Sequence, residues 1–486
     1  MTVTAWTTED IRGLSLPEVT DDELSVIRTL FLTWQNRLEK NLKRSLYYDA
    51  EQAFKDLGIA LPPQLQNAKF YLGWPAMAVR KLAQHSLFAG LRLPGTSDPL
   101  ELNEVFERNR FGLEFSESVV SGYKHGVAFI TVAAGGPGEP AVQIQAHQAD
   151  SSAAVWDPRR RQISALLTIS DMQDGKRPSD FTVWLPDNIL EFTHDQSSGR
   201  WEVERLPHRM GRTMATPVCY DPQLGQPFGR SRISNPVMSL TDMAVRAYVR
   251  MEGNAEFYSS PQLAAEGADI DAFDGLSRDK KFQLAMDRII ALTRDEDGNA
   301  PSIKQLQQAS MEPHSAMLRT VAMAFSGETG IPPSSLGIIH DNPASAEAIR
   351  ASKHDLLIDA TYQNTRVLNT AVQDIARMAW MVRENSTDLP EEAWQLSARF
   401  TDPEFRSLSA RADAVVKIAG ALPDLAGSEV LLEELFDEDQ LDRIREERRR
   451  AEALSLLQQG DGTGEPTAGL PNAAPQPDGE PAEAAQ

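Results

Sequence analysis

The stretch that decides the fold is residues 330–357, GIPPSSLGIIHDNPASAEAIRASKHDLL. Three pairs of residues mark the start, the turn and the end of a predicted loop, in chain order: Pro332-Pro333, Leu336-Gly337 and Asn342-Pro343. The prolines stiffen the start of a loop and the glycine permits a tight turn. Asn is a favoured N-cap, and Pro at the first helical position loses no hydrogen bond, because that N–H has no intrahelical partner. The stretch therefore predicts a loop with two fixed ends between two helices.

The helix that follows this loop is unusually long. Its apolar positions continue from Pro343 to about Glu384 and include Leu356, Val372 and Ile375. About forty residues at 1.5 Å each give roughly 60 Å, which exceeds the width of a small domain. A helix beyond about 25 residues is typical of a coiled coil, a repeat or an assembly. Since no heptad and no repeat is present, the pattern favours an assembly.

Upstream of the loop, the sequence predicts two helices that flank a small insert. The first spans 230–257 and the second runs from about Pro313 to Gly327, while the insert between them carries a hairpin around residues 294–299 and a short helix near 278–287. The first helix has two faces at 100° per residue. One face is apolar, with Val237, Leu240, Ala244, Tyr248 and Met251, and the other is rich in arginine, with Arg232, Ser239, Met243, Arg246 and Arg250. The arginine stripe is either a solvated face or a contact face, and the pattern leaves both open.

The first 230 residues predict an α+β domain. Amphipathic helices are expected at 21–57, from Trp74 onward and within 98–125, and short β-rich runs between 126 and 206 are bounded by Gly, Pro, Asp or Ser, as in an antiparallel sheet. Near the end of the chain, a strand at 394–403 is expected to rejoin this sheet. Helices are then predicted at about 404–420, 428–436 and 438–457, and the composition after Gly460 predicts a segment without a core.

Charge and composition exclude several classes of protein. The chain has 70 acidic and 48 basic residues, a net charge of −22, which disfavours a protein that grips DNA by displacing phosphate counterions. Cys219 is the single cysteine and excludes an intramolecular disulfide. The N-terminus carries no pattern of a secretory signal, and no run of about eighteen apolar residues predicts a membrane span.

No catalytic constellation stands out. Motifs for phosphate-binding loops, zinc hydrolases and serine hydrolases are missing, so the sequence predicts no catalytic, cofactor-binding or metal-binding residue. Three His-Asp pairs occur, namely His194-Asp195, His340-Asp341 and His354-Asp355. A metal-dependent phosphohydrolase would need further ligands near such pairs. That enzyme and an acidic structural protein of some other assembly remain the alternative interpretations.

Four stretches in this order resemble the portal proteins of tailed double-stranded-DNA bacteriophages, of the type found in long-tailed phages of actinobacteria. They are RSLYYDAEQAFKDLGIALPP (44–63), LGWPAMAVRKLAQHSLFAGLRL (72–93), FGRSRISNPVMSLTDMAVRAYVRMEGNAEFYSSPQ (228–262) and TGIPPSSLGIIHDNPASAEAIRASKHDLL (329–357). The resemblance covers nearly the whole chain. It implies an α+β portal fold with an α/β wing, a two-helix stem, a small α/β clip, a long spine helix and a helical crown.

The resemblance also implies the following boundaries: wing 1–229, first stem helix 230–257, clip 258–310, second stem helix 311–329, tunnel loop 330–342, spine helix 343–385, a strand returning to the wing 386–403, crown 404–458 and an acidic tail 459–486. The tunnel loop is expected to line a DNA channel with Ser335, Leu336, Gly337, Ile338, Ile339, His340, Asp341 and Asn342, and the stem face to present Arg232, Arg246 and Arg250 toward the channel or a neighbouring stem.

The resemblance further implies the partners of the protein. A ring of twelve subunits would sit at one capsid vertex of the virion, after assembly in the bacterial cytoplasm, and double-stranded DNA would pass through it. The terminase large subunit and the head-tail connector proteins would dock on the clip, and the major capsid protein and scaffold would surround the ring. No cofactor and no membrane is implied.

Overall fold

The computed structural model of the chain describes residues 6–52, 70–94, 96, 98–195, 197–258, 263–266, 302–305, 310–337 and 346–401, and parts of 408–451. Several predictions therefore lie outside the described residues. They are the turn at 294–299, the short helix near 278–287, the second half of the loop at 338–342, the start of the long helix at 343–345 and the tail after 459.

The chain divides into two compact units, Met1–Pro403 and Glu404–Gln486. The helices and strands of the first unit are, in order, α1 (Thr8–Arg12), α2 (Asp21–Tyr48), α3 (Trp74–Ala83), β1 (Phe88–Arg92), α4 (Asn103–Arg108), α5 (Phe111–His125), β2 (Val127–Ala134), β3 (Val142–Gln148), β4 (Ser152–Asp157), β5 (Gln162–Gln173), β6 (Arg177–Trp184), β7 (Asn188–Asp195), β8 (Arg200–Pro207), β9 (Ala215–Cys219), α6 (Asn235–Tyr258), β10 (Leu263–Glu266), β11 (Ser302–Gln305), α7 (Glu312–Thr329), α8 (Ala346–Tyr362), α9 (Asn369–Glu384) and β12 (Ser397–Phe400). The second unit contains α10 (Leu408–Ala421). None of the described helices is both long and apolar enough to cross a bilayer.

The antiparallel sheets confirm the α+β class. One sheet has five strands in the order β4-β5-β6-β7-β8, and another has three in the order β3-β2-β9. The strand predicted at 394–403 is present as β12, but it pairs with β1 in a sheet of its own and does not rejoin the larger sheets. In the insert, β11 pairs with β10, so the only described pairing differs from the hairpin expected around 294–299.

Helix α2 packs across the five-stranded sheet. Its start is fixed by a capping box, in which Thr20 and Glu23 satisfy each other's backbone N–H groups. Phe31 is fully buried and meets Phe181 of β6 edge-on at 5.0 Å. Burying one such ring stabilises the fold by about 2–3 kcal/mol. The helix ends at Tyr48, earlier than the predicted residue 57, and positions 53–57 lie outside the described residues.

Helices α6 and α7 pack against each other, as the sequence predicted for the two flanking helices. Helix α6 begins at Asn235 instead of 230, because the segment before it is extended and hydrogen-bonds to other elements. Val237 is buried as expected and Leu240 is partly buried, but Tyr248 is 40% exposed. The real packing face turns slightly around the helix, so that Val245 and Val249 are buried in place of Tyr248.

The long helix is confirmed from Ala346 to Glu384, with one irregularity. Between α8 and α9, residues Gln363–Leu368 adopt a π-helical turn, which inserts an extra residue into the hydrogen-bond ladder. Gln363 and Asn364 are buried there, and Asn364 Nδ2 donates to the carbonyl of His85 at 2.8 Å. The turn therefore places polar side chains against the residues that follow α3.

Candidate functional site

The predicted loop begins on a rigid base. Helix α7 ends at Gly330 in the left-handed conformation (φ +67°), which a glycine adopts without strain. The next residue, Ile331, is fully buried, and its carbonyl accepts a hydrogen bond from Ser326 Oγ at 2.6 Å. Thr329 Oγ1 in turn donates to the carbonyl of Phe325 at 2.7 Å. The chain therefore leaves α7 along a fixed path.

The described first half of the loop stays docked against the core. Pro333–Leu336 forms one 3₁₀ turn, and Gly337 follows with φ +84°, which confirms the tight turn predicted there. Leu336 is 7% exposed and belongs to the main core cluster, because the turn directs its side chain inward. Leu336 is one of the predicted channel residues, and in the single subunit its side chain is buried in the core. Ser335 is half-buried, and its backbone N–H donates to the Pro332 carbonyl at 2.9 Å.

The remaining predicted channel residues are Ile338, Ile339, His340, Asp341 and Asn342, and all five lie outside the described residues. Gly337 is exposed and is the last described residue before them.

Arg232 is the centre of the loop's anchor. Its guanidinium is buried and donates to four acceptors from different parts of the unit: the Ala78 carbonyl of α3 at 2.6 Å, Tyr220 Oη at 2.8 Å, Asp359 Oδ2 of α8 at 2.6 Å and the Thr329 carbonyl of α7 at 2.5 Å. The planar fork of arginine suits such a set of acceptors. One side chain thus joins α3, the end of α7 and the long helix.

The anchor is completed by Tyr220 and Asp359. Tyr220 Oη also donates to Asp359 Oδ2 at 3.2 Å, and burial raises the pKa of Tyr220 to about 12. Both oxygens therefore face the guanidinium as fixed acceptors. Sequence reasoning missed these two residues, since they are 139 positions apart and belong to no motif.

Arg232 is thus a correction to the predicted arginine stripe. It precedes α6 and is buried within its own subunit, so it does not belong to the exposed part of that helix face. Arg246 and Arg250 do lie on α6 and are half-buried. Arg250 Nη1 approaches Met317 Sδ of α7 at 3.9 Å, while Arg246 makes no hydrogen bond or ion pair within the described part of the chain.

The two described His-Asp pairs lie on different elements, one on β7 and one on α8. His194 packs edge-on against Trp201 at 4.9 Å, and Asp195 accepts hydrogen bonds from Ser197 in the following turn. His354 is exposed on α8, while the pair at 340–341 lies outside the described residues. Among the residues that the structure describes, no group of three or more His, Cys, Asp or Glu could hold a metal ion.

Two curated relatives resemble the chain over most of its length. The portal protein of Mycobacterium phage L5 is 26% identical over 416 residues, which cover 82% of this chain and 83% of the relative. The portal protein of Mycobacterium phage D29 is 27% identical over 388 residues, which cover 77% and 78%.

Solved structures with a related chain come from gene transfer agent (GTA) particles. A chain in the neck of the native particle, computed with C12 symmetry, has a TM-score of 0.41 and 15% identity, with 81% of this chain and 98% of that chain covered. A chain in the virion of the native particle has the same TM-score at 16% identity, with 74% and 89% covered. Similarity at this level carries no inference about function.

The family comparison is decisive. Residues 29–453 match the family described as phage portal protein, SPP1 Gp6-like, and this range includes most of α2, both large sheets, the α6–α7 pair, the Arg232 anchor and the long helix. The four stretches that suggested the family lie within it. Portal proteins are structural and not enzymatic, which removes the phosphohydrolase alternative. The chain belongs to the phage portal protein family of the SPP1 Gp6-like type.

Proposed function

We propose that this portal protein forms a ring, of twelve subunits as the resemblance implies, at one vertex of the capsid, and that double-stranded DNA passes through its centre during packaging and ejection. The observation that carries the proposal is the family match over residues 29–453. The long helix from Ala346 to Glu384 and the slender α6–α7 pair support it, since both are more typical of an assembly than of an isolated subunit.

The net charge of −22 fits a channel for DNA. A channel lined with cations would hold the duplex, because each neutralised phosphate releases a counterion. An acidic ring repels the phosphates, and the duplex can slide. The motor that drives the DNA would be a separate ATPase, the terminase large subunit, which docks on the insert at 258–310, where the head-tail connectors dock later. The major capsid protein and the scaffold would be further partners of the ring.

The loop has a base and a part that faces the DNA in this proposal. The base is Gly330 to Leu336, which is held by Ile331, Leu336 and the bond from Arg232 to Thr329. The part that faces the DNA is Gly337 to Asn342. A fixed base lets a short segment meet the duplex in the same position in every subunit.

Electron microscopy of the purified protein tests the ring. The expected result is a ring with a central hole, and particles that stay single subunits at all protein and salt concentrations would contradict the proposal.

A deletion of residues 338–341 tests whether the loop acts on the DNA. The ring should form with unchanged thermal stability, while packaging or retention of DNA falls. Collapse of the ring would identify the segment as a structural joint, and full packaging would show that it has no role in DNA passage.

Arg246→Glu tests the remaining stem arginines. Because Arg246 has no partner within the described part of its subunit, the variant should fold normally but assemble poorly or retain less DNA. Arg319→Glu on the exposed side of α7 is the matched control. Normal assembly and packaging by the Arg246 variant would assign this residue to a solvated face.

A further inference from the structure

A cleft of about 850 Å³ lies between the second half of α2, the start of β2 and the segment that leads into α6. Four cationic side chains line it, namely Arg37, Lys40, Arg44 and Arg230. None of the described residues that line the cleft is Asp or Glu. In a chain with 70 acidic and 48 basic residues, such a cavity is a strong local reversal of charge.

Two cations of the cleft, Arg37 and Lys40, have no counterion in the described part of the chain, whereas the Asp150 carboxyl lies near Arg44. Arg37 and Lys40 are exposed, and neither makes an ion pair or a hydrogen bond in the described part of the chain. The pKa of Lys40 is lowered, first by Arg44, then by burial and by Arg37. Burial and then Arg37 lower the pKa of Arg44 to about 10, against the opposing effect of Asp150. Mutual repulsion of this kind marks a site that an anion would stabilise.

Buried polar atoms at the same place also lack partners. His125 lines the cleft and is 5% exposed, yet its Nδ1 has no hydrogen-bond partner, and neither has Nε of Arg44. Burial lowers the pKa of His125 to about 3, so the ring is neutral and its contact with Asp150 at 3.5 Å is not a charged pair. Unpaired buried polar atoms are rare in native proteins and point to an absent partner.

The rim of the cleft carries an apolar group. Leu224 is fully exposed, at the tip of a turn closed by two backbone hydrogen bonds between Gln223 and Gln226. The turn continues directly into Gly225 and Gln226, which line the cleft. An exposed leucine beside a charged cavity fits contact with another protein surface better than contact with a free anion or a DNA backbone.

An uncompensated acidic group exists elsewhere on the same unit. Glu191 of β7 and Glu204 of β8 are exposed and stand directly opposite each other across the strand pair. Like charges in this position destabilise a sheet. The pKa of Glu191 is raised, first by partial burial and then by Glu204 and Glu139. Neither of these two carboxylates forms an ion pair with a residue that the structure describes.

The two charged groups lie near opposite edges of the five-stranded sheet, with the carboxylates on the face that points away from α2. Near the start of α2, Glu23 pairs with Arg205 of β8 at 2.7 Å, and β8 is one edge of the five-stranded sheet. Further along, Asn41 Nδ2 donates to the Ala149 carbonyl at 3.0 Å, just before β4, which is the other edge. Residues 23 and 44 are about 30 Å apart along the helix. Two complementary patches on opposite sides of a subunit are what a head-to-tail ring contact requires.

We infer that the cationic cleft binds the acidic edge of a second copy of this chain, with the Glu191–Glu204 pair of one subunit facing Arg37, Lys40 and Arg44 of the next. The inference rests on the ring proposed above and adds which surfaces form its contact. Each contact would bring together the cations of the cleft, which repel one another, and the two glutamates, which also repel each other. Leu224 would pack at the margin of the contact.

Charge reversal tests the contact. Arg37→Glu with Lys40→Glu, and separately Glu191→Lys with Glu204→Lys, should each raise the protein concentration for half-maximal ring assembly by at least about tenfold, since like charges then meet. The chain that carries all four substitutions should assemble again, because a negative cleft then meets a positive edge. A mixture of the two double variants should also assemble, because the cleft of each variant is opposite in charge to the edge of the other. Mass photometry and sedimentation velocity at low and high salt measure the assembly.

The matched control is Lys43→Glu with Lys176→Glu, which has the same charge change on exposed residues outside the cleft and should assemble as the unaltered chain does. Normal rings from either test variant, or failure of the fourfold variant to recover, would overturn the inference. So would a cleft variant that forms normal rings but loses DNA or inorganic phosphate binding, since the cleft would then hold phosphate. Absence of rings from the unaltered chain would instead refute the proposed function.

Discussion

Arg232 and Arg44 are two arginines that the same compact unit encloses, and their surroundings differ. Every acceptor around Arg232 comes from a different element, and its four hydrogen bonds span 2.5 to 2.8 Å. Arg44 donates from one nitrogen only, to the His125 carbonyl at 2.5 Å and to Asn41 Oδ1 at 3.5 Å, while its Nε has no partner. A buried charge is costly unless it is paired. The comparison indicates that the guanidinium of Arg232 finds all its partners within one subunit, whereas that of Arg44 leaves a donor for a partner from outside the subunit.

The largest effect is expected from Arg232→Met. The change leaves the Asp359 carboxylate beside buried groups without its cation and releases three further acceptors, so the free energy of unfolding should fall by about 3–5 kcal/mol. Arg232→Lys should recover little of this loss, since an ammonium cannot reach four separated acceptors. Chemical denaturation measures both. Arg209→Met, on an exposed side chain, is the control, and a loss below about 1 kcal/mol for Arg232→Met would contradict the anchor.

The next test concerns the segment 225–231, which lines the cleft beside Arg44 and leads directly into Arg232. Gly229 has φ +67°, and a Cβ at this position would lie 2.2 Å from the Tyr220 carbonyl oxygen. Gly229→Ala should therefore lower the free energy of unfolding by about 2–3 kcal/mol, because both the backbone and the close approach oppose it. Gly225→Ala is the matched control in the same segment, where a Cβ meets nothing within 4 Å. Equal stability of the two variants would show that the segment adjusts freely.

A paired arginine near the surface should have an intermediate effect. The guanidinium of Arg205 holds the pKa of Glu23 at about 2. Because Arg205 is about a third exposed, solvent screening limits the contribution of the pair to about 1 kcal/mol. A depressed pKa gives stability that is present above pH 4.5 and is lost as the pH falls toward 2. Denaturation curves of Arg205→Gln should differ from those of the unaltered chain at pH 7 and converge below pH 4.5, and a constant difference would refute the assignment.

The smallest effect on stability is expected from Arg44→Met. The change removes the bond to the His125 carbonyl but also the cost of enclosing an unpaired cation, so the free energy of unfolding should stay within about 1 kcal/mol. The contrast with Arg232→Met is the sharpest test of the comparison, since both changes are chemically identical. A loss as large as that of Arg232→Met would show that the cleft is also complete within one subunit.

Local patterns in the sequence were sufficient for the elements and for the family. The caps, turns and apolar spacing predicted α2, α3, the antiparallel strands, the α6–α7 pair and the long helix, because these depend on interactions between residues that are near each other in the chain. The tight turn at Gly337 was predicted for the same reason, since its backbone needs a residue without a Cβ.

Three expectations were wrong because they depend on distant contacts. Arg232 looked like part of an exposed stripe, but Asp359 and Thr329 bring its acceptors from 127 and 97 residues away. Tyr248 looked buried, but the contact between α6 and α7 is rotated away from it. The strand β12 looked like a member of the larger sheet, but it pairs with β1, which lies elsewhere within residues 1–229.

The sequence by itself determined the α+β class, the order of the helices and strands, the acidic charge and the membership in the portal family. Each of these follows from local spacing, from composition or from motifs in order. Only the tertiary structure decided that Arg232 anchors the loop, that Leu336 belongs to the core and that the cations of α2 and the carboxylates of β7 and β8 lie near opposite edges of one sheet. These facts depend on contacts between residues that are far apart in the chain. Whether a side chain is buried and whether a charge is paired are decided only by such tertiary contacts.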